Sequence, residues 1–160
     1  MMNEVSYEAI ARALEALTEG VPFEIANLAN ASALLWQELP ELNWVGFYKL
    51  IREELVLGPF QGKTACIRIP VGKGVCGTAV REDRALVVPD VHQFPGHIAC
   101  DGASRSEVVV PIRVNGRIWG VLDLDSPLPG RFSQADEAGL ELCVRVLERM
   151  LERCVDAWGA

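Results

Sequence analysis

The chain has 160 residues, half of them hydrophobic, and 22 acidic against 15 basic side chains give a net charge of −7. A chain of this length buries roughly 70% of its unfolded surface, so one core and one domain over residues 1–160 are expected. The acidic balance excludes a nucleic-acid surface, which needs a basic stripe, and no apolar run approaches the ~20 residues that span a bilayer.

The opening residues lack a basic segment followed by an apolar one, so no signal peptide is expected and the chain reads as cytoplasmic. A first helix follows a Ser6 cap, with Ile10, Leu14 and Leu17 on one face. Gly20 and Pro22 stop it. A second helix, from about Pro22 to Glu38, carries Ile25, Leu28, Leu34, Leu35 and Trp36 on several sides. That width predicts cover from the sheet or from a partner chain. Pro40 ends it.

The period then changes. Trp44 to Leu50 reads as a strand, Glu54 to Leu57 as its hairpin partner, and Cys66 to Val71 as a third strand with Cys66 near its start. Val75 to Arg81 has room only for a short helix, and Leu86 to Val88 for a brief strand. His92 to Arg105 is a long polar loop. Glu107 to Val114 and Arg117 to Asp125 form a hairpin across Asn115-Gly116, a strong type I′ signal. A last helix starts at Ser133, with Asp136 three residues on as a capping partner. The elements describe an α+β domain, an antiparallel sheet with N- and C-terminal helices packed on one face.

Five cysteines, Cys66, Cys76, Cys100, Cys143 and Cys154, form no CxxC pair, and their odd number argues against a disulfide framework. Zinc takes about four ligands; the nearest sequence pair is His97 with Cys100, so no metal site is expected. Cys143 and Cys154 share a stripe of the last helix with Leu140, Leu147 and Met150, the pattern of buried packing thiols. The segment Gly72-Lys73-Gly74-Val75-Cys76-Gly77 matches G-x-G-x-x-G. It lacks the crossover helix of a dinucleotide site, and Pro70 argues against a central strand before it. These glycines instead predict a tight loop that brings backbone and Cys76 close to a pocket.

Cys66 at a strand edge, Cys76 in a glycine-rich turn and Cys100 in the polar loop have the placement of working groups on a scaffold. Two convergent thiols suffice for a cycle that closes as a disulfide, although ordinary apolar packing accounts for the same spacing. Glu107 opens one strand of the late hairpin, and Asp123 and Asp125 share one face of the other. Such a cluster raises the pKa of its members, keeps one protonated as a general acid and attracts a ligand cation; an exposed strand end is the alternative. Trp44 and Tyr48 alternate on the first strand and supply either an aromatic wall or core packing.

The segments "NWVGFY", "LGPFQGKTACIRIPVGKGVCGTAV", "VPDVHQFPGHIACDGASRSEVVVPI" and "GVLDLDSP", in this order and spacing, resemble the free methionine-R-sulfoxide reductases over about residues 23 to 155. These are enzymes with a single GAF domain. The resemblance implies reduction of free L-methionine-R-sulfoxide with thioredoxin as reductant and no cofactor. It implies Cys100 as the attacking cysteine, Cys66 as the principal resolving cysteine and Cys76 as a third family cysteine; which of the last two resolves first stays open. It also implies Glu107, Asp123 and Asp125 as pocket carboxylates and Trp44 and Tyr48 as the aromatic wall. A homodimer through the terminal helices is expected, because they carry more apolar surface than one sheet face covers. The rival reading is a non-catalytic GAF sensor of small molecules; the cysteine trio favours the enzyme, since fold alone does not decide function.

Overall fold

The computed structural model describes residues 4–98 and 102–154. Two helices come first, α1 (Tyr7–Thr18) and α2 (Glu24–Glu38). Strands β1 (Trp44–Ile51), β2 (Glu54–Gly62) and β3 (Arg68–Pro70) follow, then α3 (Gly74–Glu82) and β4 (Leu86–Val88). A short 3-10 turn at Val91–Gln93 leads toward β5 (Ser106–Val114), β6 (Arg117–Ser126) and α4 (Gln134–Arg153).

Local chemistry sets the element ends. The Ser6 side chain accepts a hydrogen bond from the Ala9 amide and so caps α1. Ser133 and Asp136 form a reciprocal capping box on α4, which satisfies two of the orphan amides of the first turn. At the β5–β6 turn, Asn115 has φ +54° and Gly116 φ +76°. Two successive left-handed residues are what a type I′ turn requires.

The strands form one antiparallel sheet in the order β3-β2-β1-β6-β5-β4. The period-2 alternation of side chains divides the interior between its two faces. Val45, Phe47, Val108, Val110, Leu122 and Leu124 pack against α1, α2 and α4 in the larger apolar core. Trp44, Tyr48, Val109 and Val121 point the other way, into a smaller cluster that includes Val75, Cys76 and Ala79 of α3. The second face is covered thinly, and the site lies there.

The structure corrects several sequence expectations. Strand β2 runs on to Gly62, past Pro59. The β1–β2 register shifts between Gly46 and Tyr48, so Gly58 and Pro59 fall in an irregular stretch without ladder partners, where the missing proline N–H costs nothing. Strand β3 begins at Arg68, so Cys66 precedes it; the Cys66 carbonyl is bonded to the Tyr48 hydroxyl instead. Of the two placements that the sequence allows Cys76, the structure takes the short helix: the residue sits in the first turn of α3 rather than in the glycine-rich turn before it. The sheet covers α2 only in part, with Leu28 and Leu35 buried and Ile25 and Trp36 exposed, as is Leu17 on α1; cover of the rest by a partner chain is not tested by a single chain. Cys154 lies just past the end of α4 and is half-buried.

Candidate active site

Sheet register assembles the carboxylates. Glu107 on β5 lies opposite Asp125 on β6, which in turn lies opposite Trp44 on β1. One step along the same face, Asp123 lies between Val109 and Gly46. Glu107 is 6% exposed and Asp123 5%, so these are buried acids rather than a solvated strand end. Among the described residues, no lysine or arginine forms a salt bridge with either. Buried carboxylates gathered in this way cost stability unless protons or a ligand neutralise them.

Protons do part of this. Burial, first, and then the charges of Asp123 and Asp125 hold the Glu107 carboxyl well above its usual range. Burial also raises Asp123, against contacts with Glu107, Cys76 and Asp125 that pull it down. Glu107 is therefore the group that keeps the proton. Desolvation, rather than the mutual repulsion expected from the clustering of the carboxylates, is the larger cause. Asp123 Oδ1 is buried and takes no hydrogen bond from any fixed N–H or O–H donor.

Cys76 completes the cluster from above. Its Sγ lies 4.0 Å from Glu107 Oε2, and the position is set by a close approach of α3 to the sheet. A Cβ on Gly77 would stand 2.5 Å from the Pro70 carbonyl oxygen, so only glycine lets the helix descend this far. A helix N-terminus favours a thiolate by about 0.3–1 kcal/mol at the surface. Here burial and the neighbouring carboxylates outweigh it and push the thiol well above its usual range. Cys76 is a protonated thiol at neutral pH.

The aromatic wall is built on β1. The Trp44 ring stacks on Tyr48 at 5.8 Å and on Phe60 of β2 at 5.2 Å between centroids. Gly46, between the two wall residues, leaves room for this: a Cβ there would meet Phe60 Cβ at 2.3 Å and the Trp44 ring at 2.8 Å. The Trp44 indole N–H donates to the Lys63 carbonyl at 3.1 Å. The Tyr48 hydroxyl donates to the Cys66 carbonyl at 2.9 Å, and burial keeps that hydroxyl protonated. The wall and the segment that carries Cys66 are thus one hydrogen-bonded unit.

One pocket is lined by Trp44, Tyr48, Cys76, Glu107, Asp123 and Asp125 together. The structure therefore brings together most of the residues singled out from sequence. Cys66 is half-buried, packs against the same cluster and is disulfide-bonded, while Cys76, Cys143 and Cys154 are free thiols. Cys100 lies outside the described residues. Cys143 belongs to the opposite core, fully buried. Sequence reasoning missed Phe60, because strand β2 was ended too early, and Ser104 and His97, which line the pocket from a loop without periodicity.

The GAF domain family model matches residues 10–151. The free methionine-R-sulfoxide reductase of Escherichia coli is 53% identical over 151 residues, covering 94% of this chain and 92% of that protein. The enzyme of the same name from Saccharomyces cerevisiae is 43% identical over 92% of this chain and 86% of its own length. The Staphylococcus aureus fRMsr, solved in complex with substrate, superposes with a TM-score of 0.89 at 51% identity, covering 94% of this chain and 99% of that one. With its buried carboxylates, aromatic wall and thiols on one side of such a sheet, this chain belongs to the GAF domain family, among the free methionine-R-sulfoxide reductases.

Proposed function

We propose that the chain reduces free L-methionine-R-sulfoxide to methionine through a thiol cycle that Cys100 opens and Cys66 closes. The observation that carries this reading is the buried, cation-free carboxylate set of Glu107 and Asp123 facing the stacked Trp44 and Tyr48 rings. A ligand with an ammonium at one end and a methyl sulfoxide at the other matches both halves. Asp123 and Asp125 take the ammonium, and the aromatic rings take the methyl group and sulfur. A peptide-bound methionine sulfoxide has no such ammonium and would leave a buried carboxylate unpaired, which is strongly disfavoured.

The Cys100 thiolate attacks the sulfoxide. The S–O bond of the substrate breaks as the oxygen, transferred to Cys100, gains a proton from Glu107. Methionine leaves and Cys100 is a sulfenic acid. The Cys66 thiol condenses with it, releasing water and forming a disulfide, which the dithiol of thioredoxin reopens. The disulfide-bonded state of Cys66, beside a free and protonated Cys76, supports Cys66 as the resolving thiol. The exposed Leu17, Ile25, Trp36 and Leu142 on α1, α2 and α4 support a dimer through the helices, which sedimentation at micromolar concentration checks.

Turnover assays with the separate R and S isomers of free methionine sulfoxide test the substrate. Selective loss of the R isomer is expected, and equal use of both isomers would refute the assignment. Cys66→Ser tests the order of events. It should still release one equivalent of methionine per chain and leave a trappable sulfenic acid, while thioredoxin-driven cycling collapses. If no methionine is released by a folded variant, Cys66 acts before or during attack.

A further inference from the structure

We propose that Cys76, Glu107 and Asp123 form a binding site for a borderline-soft divalent cation, with Zn²⁺ as the best fit. No stretch of sequence suggests it, since the three donors come from α3, β5 and β6. Their ligand atoms lie within 4.8 Å of one another, and among the described residues this is the group of thiol, imidazole and carboxylate donors so arranged. In a tetrahedral zinc site, bonds of about 2.3 Å to sulfur and 2.1 Å to oxygen place those two atoms about 3.6 Å apart. Cys76 Sγ and Glu107 Oε2 are 4.0 Å apart, a gap that a small side-chain rotation closes.

Two further observations point to a ligand. Asp123, only 5% exposed, lines the pocket, and its buried Oδ1 has no hydrogen-bond partner. And no protein cation is paired with Glu107 or Asp123 among the described residues. A thiolate with two carboxylates is too soft a set for Mg²⁺ or Ca²⁺, which prefer oxygen alone. Three protein ligands leave a fourth position open to water. On binding, the metal replaces the protons of the thiol and of the carboxyl, which pass to solvent. Cys76 stays free while Cys66 is disulfide-bonded, so the site persists in the oxidised protein, where thiol pairs that involve Cys66 are unavailable.

The test uses the oxidised full-length protein, titrated with zinc chloride in excess Mg²⁺, and with Co²⁺ as a spectroscopic probe. One Zn²⁺ per chain is expected, and the Co²⁺ form should show a thiolate-to-metal charge-transfer band in the near ultraviolet. Cys76→Ala should abolish that band. Cys76→Ala and Asp123→Asn should each weaken zinc by at least about 100-fold, beyond the 10–100-fold lost with a mere supporting group. Undiminished zinc binding in either folded variant, no zinc binding at all, or a Co²⁺ spectrum without the thiolate band would overturn the site. If Cys76→Ala does not fold, the wild-type Co²⁺ spectrum and Asp123→Asn decide the matter. Inhibition by zinc in competition with methionine sulfoxide follows only if the catalytic reading also holds, so binding without inhibition would count against that reading alone.

Discussion

The two faces of the sheet are built from the same strands and do opposite things. Along β6, Leu122 and Leu124 face the helices, and Asp123 and Asp125 face the pocket. Along β5, Val108 and Val110 face the helices beside Glu107 and Val109 on the other side. The helix face follows the ordinary rule of apolar burial, apart from the buried Lys49–Glu24 ion pair, whose charges offset one another. The pocket face breaks that rule with buried carboxylates, groups that destabilise a fold unless they serve a ligand. A period-2 strand lets both coexist one residue apart, because neighbouring residues never share an environment. The same contrast separates the thiols: Cys143 lies in the helix-face core, Cys76 in the pocket.

The sharpest way to break this division is to remove the proposed nucleophile. Cys100→Ser should abolish turnover, by about 10³-fold or more, since a hydroxyl replaces the attacking thiolate. Retention of most activity would move the chemistry to another cysteine and undo the proposed roles.

Glu107→Gln comes next, and it separates catalysis from stability. Loss of a general acid lowers rates by about 10²–10⁴-fold, so kcat/KM should fall in that range. Stability should move the opposite way at neutral and alkaline pH. The folded Glu107 carboxyl binds its proton more tightly than the unfolded one, whose value is near 4.5. Its contribution is therefore fully present below about 4.5 and is lost as pH rises through the folded value. Glutamine has no proton to lose, so the variant should be the more stable protein above that range, with the gap closing in acid. Urea unfolding across pH 4 to 9 checks it. A variant less stable than wild type at pH 8 would mean that Glu107 is not held against its own charge.

How far this was legible depended on whether a signal was local. The Asn115-Gly116 turn, the Ser133 cap and the alternation of Trp44 with Tyr48 are local, and each reads directly from the chain. The alternation "LDLD" places Asp123 and Asp125 on one face, but only register sets Glu107 against Asp125. Strand β2 escaped because Gly58-Pro59 reads as a break, and the sheet tolerates it as a bulge. Cys76 was assigned to a turn since its helix spans only Gly74–Glu82 and is held down by packing at Gly77. Ser104 and His97 reach the pocket from a loop, where no periodicity announces orientation.

The smallest effects test the helix face, through its two thiols. Cys143 is fully buried and its Sγ lies 3.9 Å from the Tyr7 carbonyl, too far for a hydroxyl to form an ordinary hydrogen bond. Burial pushes this thiol up to about 12, so it behaves as an apolar atom. Cys143→Ser introduces an unsatisfied hydroxyl there and should cost about 1–3 kcal/mol. Cys154 is half-buried beyond the helix end, with its Sγ 3.4 Å from Met150 Sδ and 3.5 Å from Asn27 Nδ2. Its change to serine keeps a polar atom near Asn27 and water and should cost under about 1 kcal/mol. Both variants should keep kcat/KM within about twofold of wild type, because neither touches the pocket face. Loss of activity at unchanged stability, in either variant, would show that the two faces are coupled and that the division drawn along β5 and β6 is incomplete.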